Sequence, residues 1–167
     1  MNQHEKIFNK TLQHYQNELR KRGYDFYFFR PADTSEARRY STTKKPCDFW
    51  FYDEAFVALE LKYTKTDRIG QSQIKEHQMK ALKYFSEHKS RSYLILTLRF
   101  NPQLTIKNSP TFAVPIINAS NWFEKGKRGF FLGEEKDWKG YQLEWKNQLK
   151  IFNIDGIVAP KHRIFNE

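Results

Sequence analysis

The sequence feature that most constrains the fold is a pair of short apolar runs separated by a polar dipeptide. The stretch KPCDFWFYDEAFVALELKYTK begins at Lys45, and its two runs occupy residues 47–52 and 56–62. Aromatic, β-branched and aliphatic side chains fill both runs, and Asp53 with Glu54 forms the break between them. Two runs of this composition, joined by a short polar break, predict a β-hairpin.

Three charged residues of this hairpin are positioned to form one site. Because successive side chains of a strand point to opposite faces, Glu60 and Lys62 lie on the same face of the second strand. Asp48 lies near the start of the first strand and can approach them across the hairpin. Mg²⁺ prefers carboxylate oxygens, and a lysine can orient an attacking water or offset charge on a phosphate. The pattern therefore predicts a phosphodiesterase site in which Asp48 and Glu60 bind the metal and act with Lys62 in catalysis.

An ordinary structural explanation also fits the Glu-x-Lys pattern. A strand with one face in solvent places charged residues at alternate positions without any functional role. Glu60 and Lys62 alone leave both explanations open, and Asp48, twelve positions upstream of Glu60, favours the metal site.

These residues resemble the motif of the PD-(D/E)xK nucleases, with Cys47 standing between Pro46 and Asp48. Within that superfamily, three further segments resemble the RecU-type Holliday junction resolvases in order and spacing. They are HEKIFN from His4, ELKYTK from Glu60 and EHQM from Glu76, and the resemblance extends over roughly residues 1–120.

The resemblance implies an α/β protein with a restriction-endonuclease-like core, in which helices flank a mixed central sheet. It also implies a DNA endonuclease, dependent on Mg²⁺ or Mn²⁺, that cuts Holliday junctions in recombination or repair. Glu5 corresponds to a family Glu on the first helix that approaches the metal, and Gln78 to a helix Gln that approaches the catalytic Lys. An alternative role for Glu5 is to complement the dipole of the helix predicted over residues 3–22.

Two further expectations concern the oligomeric state of the protein and its choice of substrate. A four-way junction needs two symmetric cuts, and a chain with a single Asp/Glu/Lys set supplies one, so we expect a homodimer with twofold symmetry. The family carries a long projecting stalk ahead of the motif Asp, whereas residues 31–45 are short here. We therefore expect a modest preference for junctions over duplex DNA.

The charge balance favours a polyanionic partner. The chain has 29 Lys and Arg against 19 Asp and Glu, a formal net charge of +10. A coding bias toward lysine is the alternative explanation. Basic residues around the hairpin suit contacts with DNA phosphates, although a solvated loop is the default interpretation of residues 31–45. The predicted DNA-binding residues are Arg38, Arg39, Lys44, Lys45, Lys65 and Arg68.

The rest of the chain predicts one domain over residues 1–167. Beyond the hairpin we expect a strand at 24–30, a polar loop at 63–73, a helix at 74–88, a central strand at 91–100, a strand at 111–117 and a helix at 118–125. Residues 124–129 form a basic, glycine-punctuated turn. After residue 130 the sequence leaves the element types undetermined.

Cysteine count, hydropathy and missing motifs exclude disulfide-bonded and membrane proteins, and also NTPases, dinucleotide-binding enzymes and serine hydrolases as first interpretations. Cys47 is the single cysteine, so no intramolecular disulfide forms, and we expect a small packing residue in a reducing cytosol. No stretch approaches 18 apolar residues and no signal peptide is evident, so we expect a cytoplasmic protein without membrane contact. No P-loop, GxGxxG, GxSxG or HExxH motif is present.

Three functions remain open: a junction resolvase, another PD-(D/E)xK nuclease of the restriction or repair type, and an inactive DNA-binding protein of the same fold. Asp48 and Glu60 argue against the last, because clustered acids repel phosphate and binding alone does not need them.

Overall fold

The computed structural model describes residues 1–31, 45–99, 101 and 103–165 of the chain. Within these ranges the chain builds a six-stranded sheet with helices on both faces. The helices are α1 (Gln3–Lys21), α2 (Glu76–Glu87), α3 (Ile116–Glu124) and α4 (Glu135–Trp138). The strands are β1 (Tyr27–Phe29), β2 (Phe49–Asp53), β3 (Ala55–Thr64), β4 (Arg68–Gly70), β5 (Arg91–Leu98), β6 (Thr111–Pro115), β7 (Gly129–Phe131), β8 (Tyr141–Gln142), β9 (Trp145–Lys146) and β10 (Ile151–Phe152).

The central sheet is mixed, with the strand order β1-β2-β3-β5-β6-β8. β3 and β5 are parallel neighbours, and α2 supplies the crossover that such a pair requires. The neighbouring pairs on either side, including the β2–β3 hairpin, are antiparallel. The predicted α/β class with a mixed central sheet flanked by helices is confirmed, and β5 occupies the predicted central position.

Helices cover both faces of this sheet. Phe8, Leu12, Tyr15 and Leu19 recur at helical spacing along α1 and are fully buried in the core on one face. On the other face α2 and α3 contribute buried side chains, among them Leu82, to a second core cluster. β3 is therefore covered on both faces, and a half-solvated strand does not explain its Glu-x-Lys pattern.

A second, two-stranded sheet differs from the prediction. Residues 63–73 were expected to be a polar loop, but they contain β4, which pairs antiparallel with β7. Each of these strands has three residues and one fully buried side chain, Ile69 in β4 and Phe130 in β7. A strand this short shows no periodicity that a sequence pattern can reveal.

The strand predicted over residues 111–117 is shorter than expected. β6 ends at Pro115, and α3 begins at the next residue. Proline has no N–H to extend the sheet ladder, while its φ of −53° suits the residue that precedes a helix. Pro115 therefore marks the end of the strand.

The segment after residue 130 completes the core against α1. The Asp155 carboxylate is buried and accepts a hydrogen bond from the Tyr15 hydroxyl at 2.8 Å. It also accepts bonds from the backbone N–H groups of Ile164, at 2.9 Å, and Phe165, at 3.0 Å.

None of the helices in the described ranges combines the length and apolar character needed to cross a membrane. The assignment of residues 1–167 to one domain stays a prediction.

Candidate active site

The β2–β3 hairpin fixes the carboxylate of Asp48. The pairing of Phe49 with Leu59 places Asp48 beside the middle of β3, where its N–H donates to the Leu59 carbonyl at 2.9 Å. Oδ2 of Asp48 accepts a hydrogen bond from the Leu61 N–H at 2.8 Å. Oδ1 forms an ion pair with Lys45 Nζ at 2.9 Å. The hairpin thus holds the Asp48 carboxylate next to the Glu-x-Lys segment, as predicted.

Glu60 is a nearly buried carboxylate with one unpartnered oxygen. Its side chain is 2% exposed, and Oε1 accepts from Lys62 Nζ at 2.8 Å and from Gln78 Nε2 at 2.6 Å. Oε2 is buried and has no hydrogen-bond partner in the described part of the chain. Burial and the neighbouring Asp48 charge raise the pKa of Glu60 to about 7, although Lys62 opposes the shift.

Gln78 joins Glu60 to Lys62 and also caps α2. Its Oε1 accepts from Lys62 Nζ at 3.0 Å and from the Lys75 N–H at 3.3 Å. An ammonium group only donates and a carboxylate only accepts, so one orientation of the amide satisfies both neighbours. The start of α2 therefore sets the position of Gln78, which in turn orients Lys62 against Glu60. The structure brings together Asp48, Glu60, Lys62 and Gln78 as predicted.

Glu5 lies in the same pocket but has structural partners. Its backbone N–H donates to the N-cap Asn2 Oδ1 at 2.9 Å, and its carboxylate pairs with Arg30 Nη2 at 3.1 Å. Asn2 Nδ2 also donates to Glu5 Oε1 at 3.1 Å, so the carboxylate itself has a partner at the helix start. The pocket has a volume of about 320 Å³. Its lining residues are Asn2, His4, Glu5, Asp48, Leu61, Lys62, Tyr63 and Gln73.

The donor set fits a hard divalent cation held by few protein ligands. Across the described ranges, no three His, Cys, Asp or Glu side chains are close enough together to form a metal site on their own. Mg²⁺ keeps several waters and is commonly bound through one or two carboxylates, so Asp48 and Glu60 suffice. A cation beside them would give Oε2 of Glu60 a partner and remove the repulsion between the two carboxylates.

The predicted DNA-binding residues fall into three groups. Arg38, Arg39 and Lys44 lie outside the described residues. Lys65 and Arg68 are exposed on the turn and strand that follow β3. Lys45 is at the site itself, where it pairs with Asp48. A role of these residues in DNA binding stays a prediction.

No sequence pattern indicated a function for His4, although it lies in the segment that carries the family resemblance. The ring is buried, and Nε2 lies 2.8 Å from the Thr97 hydroxyl. Burial lowers the pKa of His4 to about 4, against the opposing effect of the Asp48 charge. His4 is therefore an uncharged residue of the pocket lining at physiological pH. Cys47 is fully buried, as expected of a packing residue.

Comparisons with known proteins identify the family of the chain. A family model described as Recombination protein U, RecU, matches residues 2–157. A search of curated proteins found no match. Among solved structures, Hjc, a Holliday junction resolvase from the archaeal hyperthermophile Archaeoglobus fulgidus, is similar with a TM-score of 0.44. That match has 18% sequence identity and covers 80% of this chain and 94% of that chain. Because the family model spans most of the sequence, the predicted relationship is confirmed, and the chain belongs to the RecU family of Holliday junction resolvases.

Proposed function

We propose that the protein is a Holliday junction resolvase that hydrolyses phosphodiester bonds with Asp48, Glu60 and Lys62, positioned by Gln78. Membership of the RecU family carries endonuclease activity on branched DNA. The observation that supports the residue assignment is the hydrogen-bonded chain from Glu60 through Lys62 to Gln78 beside the unpartnered Oε2 of Glu60.

The metal and the lysine divide the chemistry between them. Asp48 and Glu60, with Glu5 as a further candidate ligand, would hold Mg²⁺ or Mn²⁺, which would supply Lewis acidity toward a phosphate oxygen and an attacking water. The Lys62 ammonium has three N–H donors, and Glu60 and Gln78 accept two of them. The third is available to the pocket, where it can donate to a phosphate oxygen or hold the attacking water.

Gln78 acts through its neighbours and does not face the substrate itself. It is nearly buried, and its polar atoms contact Glu60, Lys62 and the Lys75 backbone. It therefore keeps the Lys62 ammonium in one place, so that no reorganisation is needed as charge develops on the phosphate. Gln78 is a positioning residue in this proposal.

A cleavage assay with different metals tests this function. We expect the protein to cut a synthetic four-way junction in Mg²⁺ or Mn²⁺ and to be much slower in Ca²⁺. Calcium takes more ligands at longer distances, which displaces the water and phosphate from productive positions. Equal rates in Ca²⁺ and Mg²⁺ would contradict the proposed site. Plain duplex and single-stranded DNA serve as controls, and equal nicking of duplex would favour a different nuclease function.

We further propose a homodimer, because two symmetric cuts require two sites of matching polarity. An exposed aromatic row on the sheet supports this assembly. Tyr27 pairs across strands with Tyr52, and Tyr52 with Phe56, so the three rings share one face. They are 53%, 42% and 55% exposed, and β1 lies at the edge of the sheet. A contiguous apolar patch of this kind is typical of an interaction surface, and the twofold substrate makes a second copy its occupant.

Sedimentation tests the dimer with a matched pair of variants. We expect the unaltered protein to sediment as a dimer and Tyr27→Arg to shift it toward the monomer, because a charge at the edge of an apolar interface is costly to bury. Tyr141→Arg is the control, since Tyr141 is 52% exposed on β8, at the opposite edge of the sheet. A monomeric unaltered protein that still makes paired cuts would refute the proposed assembly.

A further inference from the structure

The two-stranded β4–β7 ribbon is rigidly anchored beside the candidate active site. Ile69 and Phe130 pair across it and are fully buried in the core. At Gly129 a Cβ atom would lie 2.7 Å from the Ile69 carbonyl oxygen, so the two strands approach more closely than any other residue type allows. The ribbon therefore presents its outward side chains from a fixed backbone.

The outward side is basic and carries an exposed aromatic ring. Arg68 pairs in register with Phe131, and its guanidinium lies 5.8 Å from the ring centroid. Phe131 is 36% exposed, and Arg128 is exposed immediately before β7. Neither guanidinium forms an ion pair with a carboxylate in the described part of the chain.

These residues line a groove of about 510 Å³, which we call the ribbon groove. Besides Arg68, Arg128 and Phe131, its wall includes Thr64, Ser72 and Gln73, and no acidic residue lines it among the residues described. The walls are ordered by internal bonds: the Gly70 N–H donates to Gln73 Oε1 at 2.7 Å. Cationic groups, hydroxyls and an amide without a competing carboxylate are suited to phosphate.

The ribbon groove continues directly from the candidate active site. Gln73 lines both cavities. Thr64 lies on the same face of β3 as Glu60 and Lys62, and two residues of a strand span about 6.6 Å. Thr64, which lines the ribbon groove, therefore lies one strand repeat beyond Lys62, which lines the candidate active site.

We propose that the ribbon groove binds the sugar–phosphate backbone of the DNA strand adjoining the scissile phosphate, with Arg68 and Arg128 as phosphate contacts. Phe131 provides a face on which an unstacked base near the branch point can lie. This assignment rests on the proposed function and adds a strand-binding subsite to it. The groove positions the strand without reading its sequence, because its contacts are to phosphate.

Salt-dependent binding of a four-way junction in EDTA gives the first test. K is the association constant for the junction. We expect the slope of log K against log[NaCl] to become shallower by about one for Arg68→Ala and by about one for Arg128→Ala. Arg163→Ala is the control for loss of one arginine. The Arg163 carbonyl accepts a hydrogen bond from Arg22, which follows the C-terminal end of α1. The N-terminal end of α1 is at the site, and its 19 residues span about 28 Å, so Arg163 is far from the site. Slopes equal to that of the Arg163→Ala protein would overturn the proposal.

We expect Phe131→Ala to weaken binding about tenfold, the effect of losing one aromatic–base stack.

Single neutral phosphates locate the contact and separate it from a general loss of charge. One methylphosphonate is placed in turn at each phosphate within three nucleotides of the cut, and each junction is titrated with unaltered, Arg128→Ala and Arg163→Ala protein. At the phosphate that Arg128 contacts, neutralisation weakens binding by unaltered and Arg163→Ala protein but has no further effect on Arg128→Ala. Additive losses at every position would overturn the proposal. If the unaltered protein binds junctions but does not cleave them, the proposed function fails, and these binding measurements still decide the subsite. Absence of DNA binding would refute both.

Discussion

Glu60→Gln should abolish metal-dependent cleavage of a four-way junction, with a loss of about 10³-fold or more in single-turnover rate. The amide keeps the size of the side chain and one oxygen that can accept from Lys62 and Gln78. It replaces the buried, unpartnered Oε2 with a group that cannot bind a cation. Several kcal/mol of charge stabilisation in the transition state depend on that cation, which corresponds to a loss of this size.

Folding and DNA binding distinguish this result from general damage. In EDTA the midpoint of thermal unfolding should stay the same or rise, because burial and the neighbouring Asp48 charge disfavour the Glu60 carboxylate by more than its ion pair with Lys62 favours it. Junction binding at low salt should be unchanged or stronger, because a carboxylate that repels phosphate is gone. Glu87→Gln, an exposed change on α2, should behave like the unaltered protein. Turnover near that of unaltered protein in Mg²⁺ would remove Glu60 from the site.

Asp48→Ala should give the same loss of cleavage for a related reason. Its carboxylate is held against β3 by the Leu61 N–H, so its position is set by the hairpin and not by a flexible loop. The substitution also releases Lys45 from its ion pair at the site. Binding of DNA should therefore be retained, which makes cleavage and binding separable in this variant.

The hairpin could be predicted from sequence because strand alternation is a local property. It determines that Glu60 and Lys62 share a face, whatever the rest of the chain does. Alternation does not determine whether that face is covered, and α2 provides the cover that makes Glu60 2% exposed. Gln78 was identified through family resemblance alone, since no local pattern shows that the third residue of a helix reaches a strand 18 positions earlier.

Other parts depend on contacts too distant for a sequence pattern. β4 and β7 anchor each other through Ile69 and Phe130, which lie far apart in the chain, and each strand is too short to show a period. Tyr15 and Asp155 are 140 positions apart, yet this bond joins α1 to the last segment. Burial of a phenol or carboxylate is tolerated only with a partner, and a sequence does not show where that partner lies.

Lys62→Ala should lower the rate of cleavage by about 10²–10³-fold, the usual effect of removing one donor to a transition state. The side chain does not bind the cation in the proposed site, so the Mg²⁺ concentration for half-maximal rate should change little. This separates it from Glu60→Gln, which removes the metal itself. The measurement is a Mg²⁺ titration of single-turnover rates at saturating protein. A large shift of the half-maximal concentration would instead indicate that Lys62 acts by shaping the metal site.

A double-mutant cycle with Gln78 decides how the lysine is held. Gln78→Ala should slow cleavage less than Lys62→Ala, because Glu60 still retains the Lys62 ammonium at 2.8 Å. If Gln78 works through Lys62, the double variant should be little slower than Lys62→Ala alone, since the group that Gln78 positions is already missing. Multiplicative losses would mean that Gln78 contributes separately, through its bond to Glu60 at 2.6 Å. Near-equality of the double variant with Lys62→Ala is the expected result, because Gln78 does not line the pocket itself, whereas the Lys62 ammonium that it holds does.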